Sequence, residues 1–221
     1  MKKNTKIYLG LLLPLTAIVL STASLAATAL NAALLIVSSD YDPFDVTVDG
    51  NKYTCYRLDG TGNEGKVSIA WSRDNQLPTD TPTDLNLPKN VTVGSTTYTV
   101  AGIAPGGFRY CDFQTFNFAN DNAIVDIGEE AFAYCTNLTT IKLPYGIDRI
   151  APSCFLDCRT LTHVYYSDSS GTMVINNRRI TEIGDHAFDS CVSLLDFTCP
   201  REIEKFGQSC FQRCKSIVKY F

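Results

Sequence analysis

A tetrad of the form Phe-x-x-Cys occurs five times in the chain and constrains its fold more than any other feature. The five copies run from Phe108 to Cys111, Phe132 to Cys135, Phe155 to Cys158, Phe188 to Cys191 and Phe211 to Cys214. Successive phenylalanines lie 24, 23, 33 and 23 residues apart. An apolar residue stands five positions before each phenylalanine, and Ala or Gly follows it. Such a regular recurrence predicts a solenoid, in which each repeat forms one coil and neighbouring coils stack to bury the core.

Each repeat predicts one short β-strand and one helical turn. The segment Thr139–Leu143 alternates polar and apolar residues, as a half-buried strand does. The segment Glu129–Tyr134 spaces its apolar residues on one side of a helical turn. The interval of 33 residues exceeds the period by ten, and the additional residues fall in the polar stretch Ser167–Arg178. We therefore expect a solenoid with a period of about 23 residues and one insertion.

Residues 127–144 closely resemble the BspA-type leucine-rich repeat, and the copies that end at Pro144 and Pro200 match it best. The resemblance covers about residues 44–221. It implies a leucine-rich-repeat solenoid in a secreted or cell-surface protein, often an adhesin that binds host or partner proteins. The sequence departs from the pattern at the insertion and at Ala104-Pro105 and Ala151-Pro152, which replace Gly. We expect these departures to leave the coil intact and to alter only the local surface.

Three regions are predicted along the chain. Residues 1–26 combine three lysines, an apolar run and, in Ser24-Leu25-Ala26, small residues at the two positions that a signal peptidase reads, which is typical of a cleaved secretory signal peptide. An uncleaved membrane anchor is the alternative, because residues 27–37 are also largely apolar. Residues 27–95 form a β-rich N-terminal capping region that contains a hairpin around Asp49-Gly50-Asn51. Residues 96–221 hold the five repeats, the last one incomplete, so we expect further repeats or a C-terminal domain beyond it.

Composition and motifs favour a binding protein over an enzyme. Nineteen basic residues against 23 acidic ones give a net charge of -4, which argues against binding to nucleic acid. The chain has two histidines, and we find no phosphate-binding loop, nucleophile elbow or paired-carboxylate motif. A catalytic alternative would pair a reactive cysteine with His163 or His186. We expect neither an enzymatic activity nor a cofactor.

Eight of the nine cysteines are predicted to be buried thiols of the core. Five belong to the tetrads, Cys154 and Cys210 stand where other copies have Ala, and Cys199 replaces an apolar strand residue. Free cysteine packs well as a small hydrophobic residue. Disulfides between coils are the alternative in an exported chain, whereas a zinc site is disfavoured because no histidine accompanies the cysteines. Cys55 lies outside the repeats and is the best candidate for an exposed thiol.

One face of the predicted strands is the candidate protein-binding surface. It is expected to present these residues in or beside successive coils: Lys142, His163, Tyr165, Tyr166, Asp196, Thr198 and Lys219. Tyr165 and Tyr166 are the expected aromatic anchors, since tyrosine is enriched in interface hot spots. The sequence thus predicts an adhesin-like, non-enzymatic module that binds extracellular or host surface proteins. The alternative function is a structural spacer or stalk that displays a C-terminal domain, and an ordinary solvated strand surface also fits the pattern.

Overall fold

Fourteen β-strands make up the regular structure of the computed structural model, which describes residues 43–58, 65–72, 82–118, 123–168, 170–174, 179–195 and 197–217. The strands are β1 (Phe44–Val48), β2 (Asn51–Arg57), β3 (Lys66–Trp71), β4 (Asp84–Leu87), β5 (Asn90–Val93), β6 (Thr96–Ile103), β7 (Thr115–Phe118), β8 (Asp126–Ile127), β9 (Thr140–Leu143), β10 (Arg149–Ile150), β11 (His163–Ser167), β12 (Met173–Val174), β13 (Glu182–Ile183) and β14 (Lys205–Phe206). The predicted signal peptide lies outside the described residues. No helix within the described ranges is long and apolar enough to cross a membrane.

The N-terminal strands form a twisted sheet that continues into the repeats. β1 and β2 pair as the expected hairpin, and Asp49 and Gly50 close it with φ values of 50° and 81°. Positive φ at both central residues is the geometry of a type I′ turn, for which Asp-Gly is a favoured sequence. β3 joins β2 on one side and β6 on the other, and β6 then pairs with β8 of the next coil. The sheet therefore runs without interruption across the expected boundary between residues 95 and 96.

The coils form hydrogen-bonded ladders on three sides of the stack. We number coils 1 to 5 by their phenylalanines, Phe108, Phe132, Phe155, Phe188 and Phe211. Short strands pair in parallel on one side, as β10, β13 and β14 do. Longer strands β4, β7, β9 and β11 pair in parallel on a second side. The tetrads lie in the third side, which we call the turn side.

The turn side consists of hydrogen-bonded turns, and the described residues include no helix at the positions where a helical turn was expected. In coil 2 the N–H groups of Glu130, Phe132 and Tyr134 donate to carbonyls of coil 3, at 2.7–3.1 Å. The intervening residues Ala131 and Ala133 donate to the carbonyl three positions earlier in their own coil. Since φ is 55° at Glu130 and 61° at Tyr134, the backbone cannot continue as a right-handed helix. Alternate N–H groups are thereby directed to the neighbouring coil.

Stacked phenylalanines form the centre of the core. The rings of neighbouring coils lie 5.2–6.0 Å apart and within 13° of parallel through the series Phe108, Phe132, Phe155, Phe188 and Phe211. The small residue before each tetrad is explained by the approach of the preceding coil. A Cβ on Gly184 would lie 2.5 Å from the backbone nitrogen of Pro152 and 2.8 Å from the carbonyl carbon of Ala151. The coils pack backbone against backbone at this point.

The insertion adds a strand to the edge of the longer-strand sheet. β12 pairs with β11 in antiparallel orientation, with Tyr166 opposite Val174 and Ser167 opposite Met173. Coil 4 starts in register beside β11, because the Leu195 N–H donates to the Thr162 carbonyl at 3.0 Å. Beyond that point β12 pairs with the end of β11, and residues 197–200 form no strand. The insertion therefore takes part of the edge that a strand of coil 4 was expected to occupy.

Candidate binding face

The outward surface of β4, β7, β9 and β11 carries two rows of polar and aromatic side chains. We call this surface the strand face. Alternate residues of each strand are buried, so the residues between them point away from the core. The first row is Asp84, Thr115, Thr140 and His163, and the second is Asn86, Asn117, Lys142 and Tyr165.

Three of the predicted residues meet on the last two strands of this face. Tyr165 pairs directly with Lys142, and His163 pairs with Thr140. The rings of His163 and Tyr165 lie parallel, with centroids 5.7 Å apart. All three predicted side chains are half-buried. The structure thus brings a cation and two stacked rings together at one end of the face.

Tyr166 is buried in the core, so its prediction as a surface anchor is wrong. The side chain is 0% exposed, because successive residues of a strand point to opposite faces and Tyr165 points outward. Its hydroxyl donates to the Thr198 carbonyl at 3.4 Å, and burial raises the pKa of the phenol well above its usual value. Tyr166 therefore fastens coil 4 to β11 from the inside.

The remaining predicted residues do not extend the face in the expected way. Thr198 of coil 4 is half-buried and belongs to no strand, since β12 pairs with the end of β11. Asp196 and Lys219 lie outside the described residues. Among the described residues, the paired strands of this face therefore end at β12.

Polar contacts between side chains of β4 and β7 hold the N-terminal part of the strand face in place. The Asn117 amide donates to Asn86 Oδ1 at 3.1 Å, and the Thr115 hydroxyl donates to Asp84 Oδ1. Sequence reasoning did not include these four residues, although Leu85-Asn86-Leu87-Pro88 repeats the strand-then-proline pattern of later copies. From that pattern, β4 could have been predicted as a further strand of the strand face.

The insertion bounds the face on the side of the later coils. Lys142 Nζ donates to the Gly171 carbonyl at 3.4 Å, which links the middle of β9 to the insertion. The loop itself is closed by Asp168, whose carboxylate accepts from Ser170 and Thr172. These hydrogen bonds lower the pKa of Asp168. The cation and the aromatic pair therefore lie beside a structured edge.

The cysteines of the described residues are free, and seven of the nine are buried. Each tetrad cysteine of coils 2 to 5 donates its thiol to the phenylalanine carbonyl of the preceding coil, at 3.0–3.1 Å. Cys199 and Cys214 are partly exposed. Cys55 is 0% exposed on β2, where it pairs with Phe44 of β1 and Ile69 of β3, so the prediction that it is exposed is wrong. Burial raises its pKa to about 12, which makes it a poor nucleophile.

The two histidines lie on different sides of the coils. His163 is on the strand face, with Nδ1 3.0 Å from the Thr162 hydroxyl. His186 is on the turn side of coil 4, with Nδ1 3.1 Å from Asp189 Oδ2. Within the described residues, no group of three His, Cys, Asp or Glu side chains is placed to hold a metal ion.

Solved structures show the same fold over most of this chain. A leucine-rich repeat protein from Bacteroides ovatus is 23% identical over 79% of this chain, with a TM-score of 0.61. The leucine-rich repeat protein of T. pallidum is 22% identical over 79%, with a TM-score of 0.57. The pneumococcal vaccine antigen PcpA is 17% identical over 77%, with a TM-score of 0.55.

The chain spans only part of these proteins. The aligned region is 40% of the Bacteroides protein, 47% of the pneumococcal antigen and 69% of the treponemal protein. A comparison with curated proteins gives no match. Residues 86–177 match the family model of the BspA type leucine-rich repeat region in six copies. Residues 86–177 of the chain are thus similar to the BspA type leucine-rich repeat region.

Proposed function

We propose that this chain is an exported protein-binding module, adhesin-like and non-enzymatic, that engages extracellular or host surface proteins through the strand face. The observation that carries the proposal is the continuous surface of four parallel strands, which ends in Lys142, His163 and Tyr165. Repeat proteins use extended surfaces of this kind to bind other proteins. Tyr165 is the expected anchor within this group, because tyrosine is enriched among the residues that dominate binding energy at interfaces.

The rigidity of the face also supports a binding role. Its side chains stand on paired strands, and several are held by hydrogen bonds between neighbouring strands. A surface that is ordered before binding loses less conformational entropy when a partner docks. The repeat-family resemblance agrees with a secreted or surface location, and we propose that residues 1–26 act as the export signal.

The N-terminal strands are proposed to cap the repeat stack. The Trp71 N–H donates to the Gly107 carbonyl at 2.7 Å, and the Ala104 N–H donates to the Ile69 carbonyl at 3.0 Å. β3 thereby takes the place that a preceding coil would occupy against coil 1. A solenoid needs such a cover, because an open end would expose apolar side chains and unpaired strand edges.

Binding to purified extracellular-matrix proteins, collagen and laminin among them, tests the proposed function. We expect saturable binding of the chain to at least one of them. The double variant Lys142→Glu/Tyr165→Ser should bind that protein about tenfold more weakly, because it removes the cation and one ring of the anchor.

Tyr56→Ser is the matched control, since Tyr56 is a 41% exposed tyrosine on β2, away from the strand face. Its affinity should equal that of the unaltered chain. If no matrix protein binds saturably, or if the control loses as much affinity as the double variant, the proposal is wrong.

A further inference from the structure

Tyr110 and Tyr134 form an exposed aromatic pair on the turn side of coils 1 and 2. Their rings stack with centroids 4.8 Å apart and planes 18° apart, and Tyr110 is 51% exposed. The guanidinium of Arg109 lies 4.8 Å from the centroid of the Tyr110 ring and 5.1 Å from that of Tyr134. We call these three residues, together with Glu130, the tyrosine patch.

The backbone at the two tyrosines shows that the coil does not require aromatic residues there. Both have left-handed backbone, with φ of 65° and 61°. In coils 3 to 5 the same position is held by Asp157, Ser190 and Arg213, with φ of 60°, 65° and 62°. Left-handed backbone favours Gly, Asn and Asp and is unusual for bulky side chains. The two tyrosine rings therefore need an explanation other than the stability of the turn.

Contacts within the patch hold its side chains in place. Arg109 Nη1 donates to Glu130 Oε2 at 2.6 Å, and Arg109 Nη2 donates to the Tyr110 hydroxyl at 3.0 Å. These hydrogen bonds fix the side chains of Arg109, Glu130 and Tyr110 in the folded chain before any partner binds. A partner that docks on them meets a fixed surface and loses little entropy from this side.

The charges around the patch indicate the kind of partner. Glu130 is ion-paired with Arg109 at 2.6 Å and Asp157 with Arg159 at 3.0 Å, and the exposed Glu129 adds one carboxylate next to Glu130 in the sequence. The whole chain carries a net charge of -4. Arg109 itself demonstrates that the two rings accept a guanidinium at cation–π distance. An electron-rich pair of rings, with one more carboxylate than guanidinium group around it, is complementary to a cation.

We propose that the tyrosine patch is a second interaction surface, which binds a basic, arginine-containing protein segment. An arginine of the partner stacks on the exposed surface of the tyrosine pair, and its charge is balanced by the neighbouring carboxylates. This surface lies on the turn side, so it extends beyond the binding proposed for the strand face. Either proposal can fail without the other.

Two peptides and the full chain provide the test. One acetylated, amidated probe has three arginines alternating with glycines, and the other has citrulline, the neutral analogue, at the same three positions. We expect the arginine peptide to bind at least tenfold more tightly in low salt. This comparison uses the unaltered chain, so it does not depend on whether a variant folds.

The variant Tyr110→Asn/Tyr134→Asn then locates the site, because Asn accepts the left-handed backbone and removes both rings. Its affinity for the arginine peptide should fall about fivefold to tenfold, as expected for loss of exposed cation–π contacts. Tyr110→Phe/Tyr134→Phe should keep most of the affinity, and Tyr56→Asn should keep all of it. Equal binding of the two peptides, or an unchanged affinity in the Asn variant, would overturn the proposal.

Discussion

At the scale of single residues, the buried cysteines serve the coil stack through the size and the hydrogen bond of their thiol. In coil 3, the Cys158 thiol donates to the Phe132 carbonyl at 3.1 Å, and that carbonyl also accepts the Cys135 N–H. A thiol at this position fills a small apolar space and satisfies the second lone pair of a buried carbonyl. The same position in the coils on either side is used in the same way.

Thiol labelling distinguishes buried from partly exposed cysteines. In the reduced, folded chain at pH 8, Cys199 and Cys214 should react with an aromatic disulfide reagent well before Cys55 and Cys158. Both Cys55 and Cys158 are 0% exposed, and burial raises the pKa of the Cys55 thiol to about 12. Mass spectrometry of the labelled peptides gives the order of reaction. Rapid labelling of Cys55 in the folded chain would contradict its burial on the core side of β2, and labelling in urea provides the control.

Asp189 joins coils 4 and 5 and makes stability depend on pH. Burial alone would raise its pKa, but hydrogen bonds from His186, Ser190 and Arg213 outweigh it and hold the pKa below the usual value. The carboxylate is 4% exposed and accepts from Arg213 Nε and Nη2 at 3.0 Å each. A carboxyl with a lowered folded pKa stabilises the folded state above the unfolded pKa of about 4, and this contribution is lost as the pH falls through the folded value.

Asp189→Asn should therefore lower the free energy of unfolding by about 1.5–3 kcal/mol at pH 7, the range for hydrogen bonds to charged groups. The difference between the variant and the unaltered chain should shrink as the pH falls below about 4. Urea unfolding of the variant and of the unaltered chain, at pH 7 and at a pH below about 4, measures this difference in the free energy of unfolding. Asp126→Asn is the control, because its carboxylate is 53% exposed and its ion pair with Arg149 contributes about 0.5 kcal/mol or less. A difference that is independent of pH would contradict the account of Asp189.

At the scale of the element, the conformation of each coil depends on close backbone contact with its two neighbouring coils. Alternate N–H groups of the turn side donate to the next coil, and the preceding coil's backbone lies against the glycine that opens the turn. This arrangement explains why Gly stands at this position in three of the copies, at Gly128, Gly184 and Gly207. The apolar residues of the turn side have the spacing of a helical turn, but this segment forms non-helical turns. The reason is that half of its backbone N–H groups donate to the next coil and not within their own coil.

Gly184→Ala tests the close approach of coils 3 and 4. The added Cβ would lie 2.5 Å from the Pro152 nitrogen, so the coils must separate, and we expect a loss of about 1–3 kcal/mol in the free energy of unfolding. Without a clash the same change would stabilise the chain by reducing the entropy of the unfolded state. Gly94→Asn is the control, since nothing lies within 4 Å of its Cβ position and φ is +60° there. Urea unfolding compares them, and a Gly184→Ala variant as stable as the unaltered chain would contradict the packing.

The elements themselves were predictable to different degrees. The hairpin at Asp49 and Gly50, the strand at Thr140–Leu143 and the burial of the first four tetrads follow from local pattern, because turn chemistry and alternation act over a few residues. The left-handed backbone at Tyr110 and Tyr134 did not follow, since neither residue is Gly or Asn and only contact with the next coil holds the conformation.

At the scale of the whole molecule, the stack of coils was predictable from the repeat, whereas the extent of its strand face was not. The expected face continued from Tyr165 to Thr198, but the insertion places β12 against β11 instead. Pairing between strands far apart in sequence decides this outcome, and the period of the repeat contains no information about it. For the same reason Tyr166, which was assigned to the surface by its position beside the insertion, lies in the core.

The central claim is that the strand face contacts a partner protein, and photo-crosslinking tests it most directly. A photoreactive benzoylphenylalanine is introduced in place of Tyr165 on the strand face or of Tyr56 on β2, and the chain is irradiated with the matrix protein that it binds. The account predicts a crosslink to the partner from position 165 and none from position 56. A crosslink from position 56 with none from position 165 would show that the partner binds elsewhere.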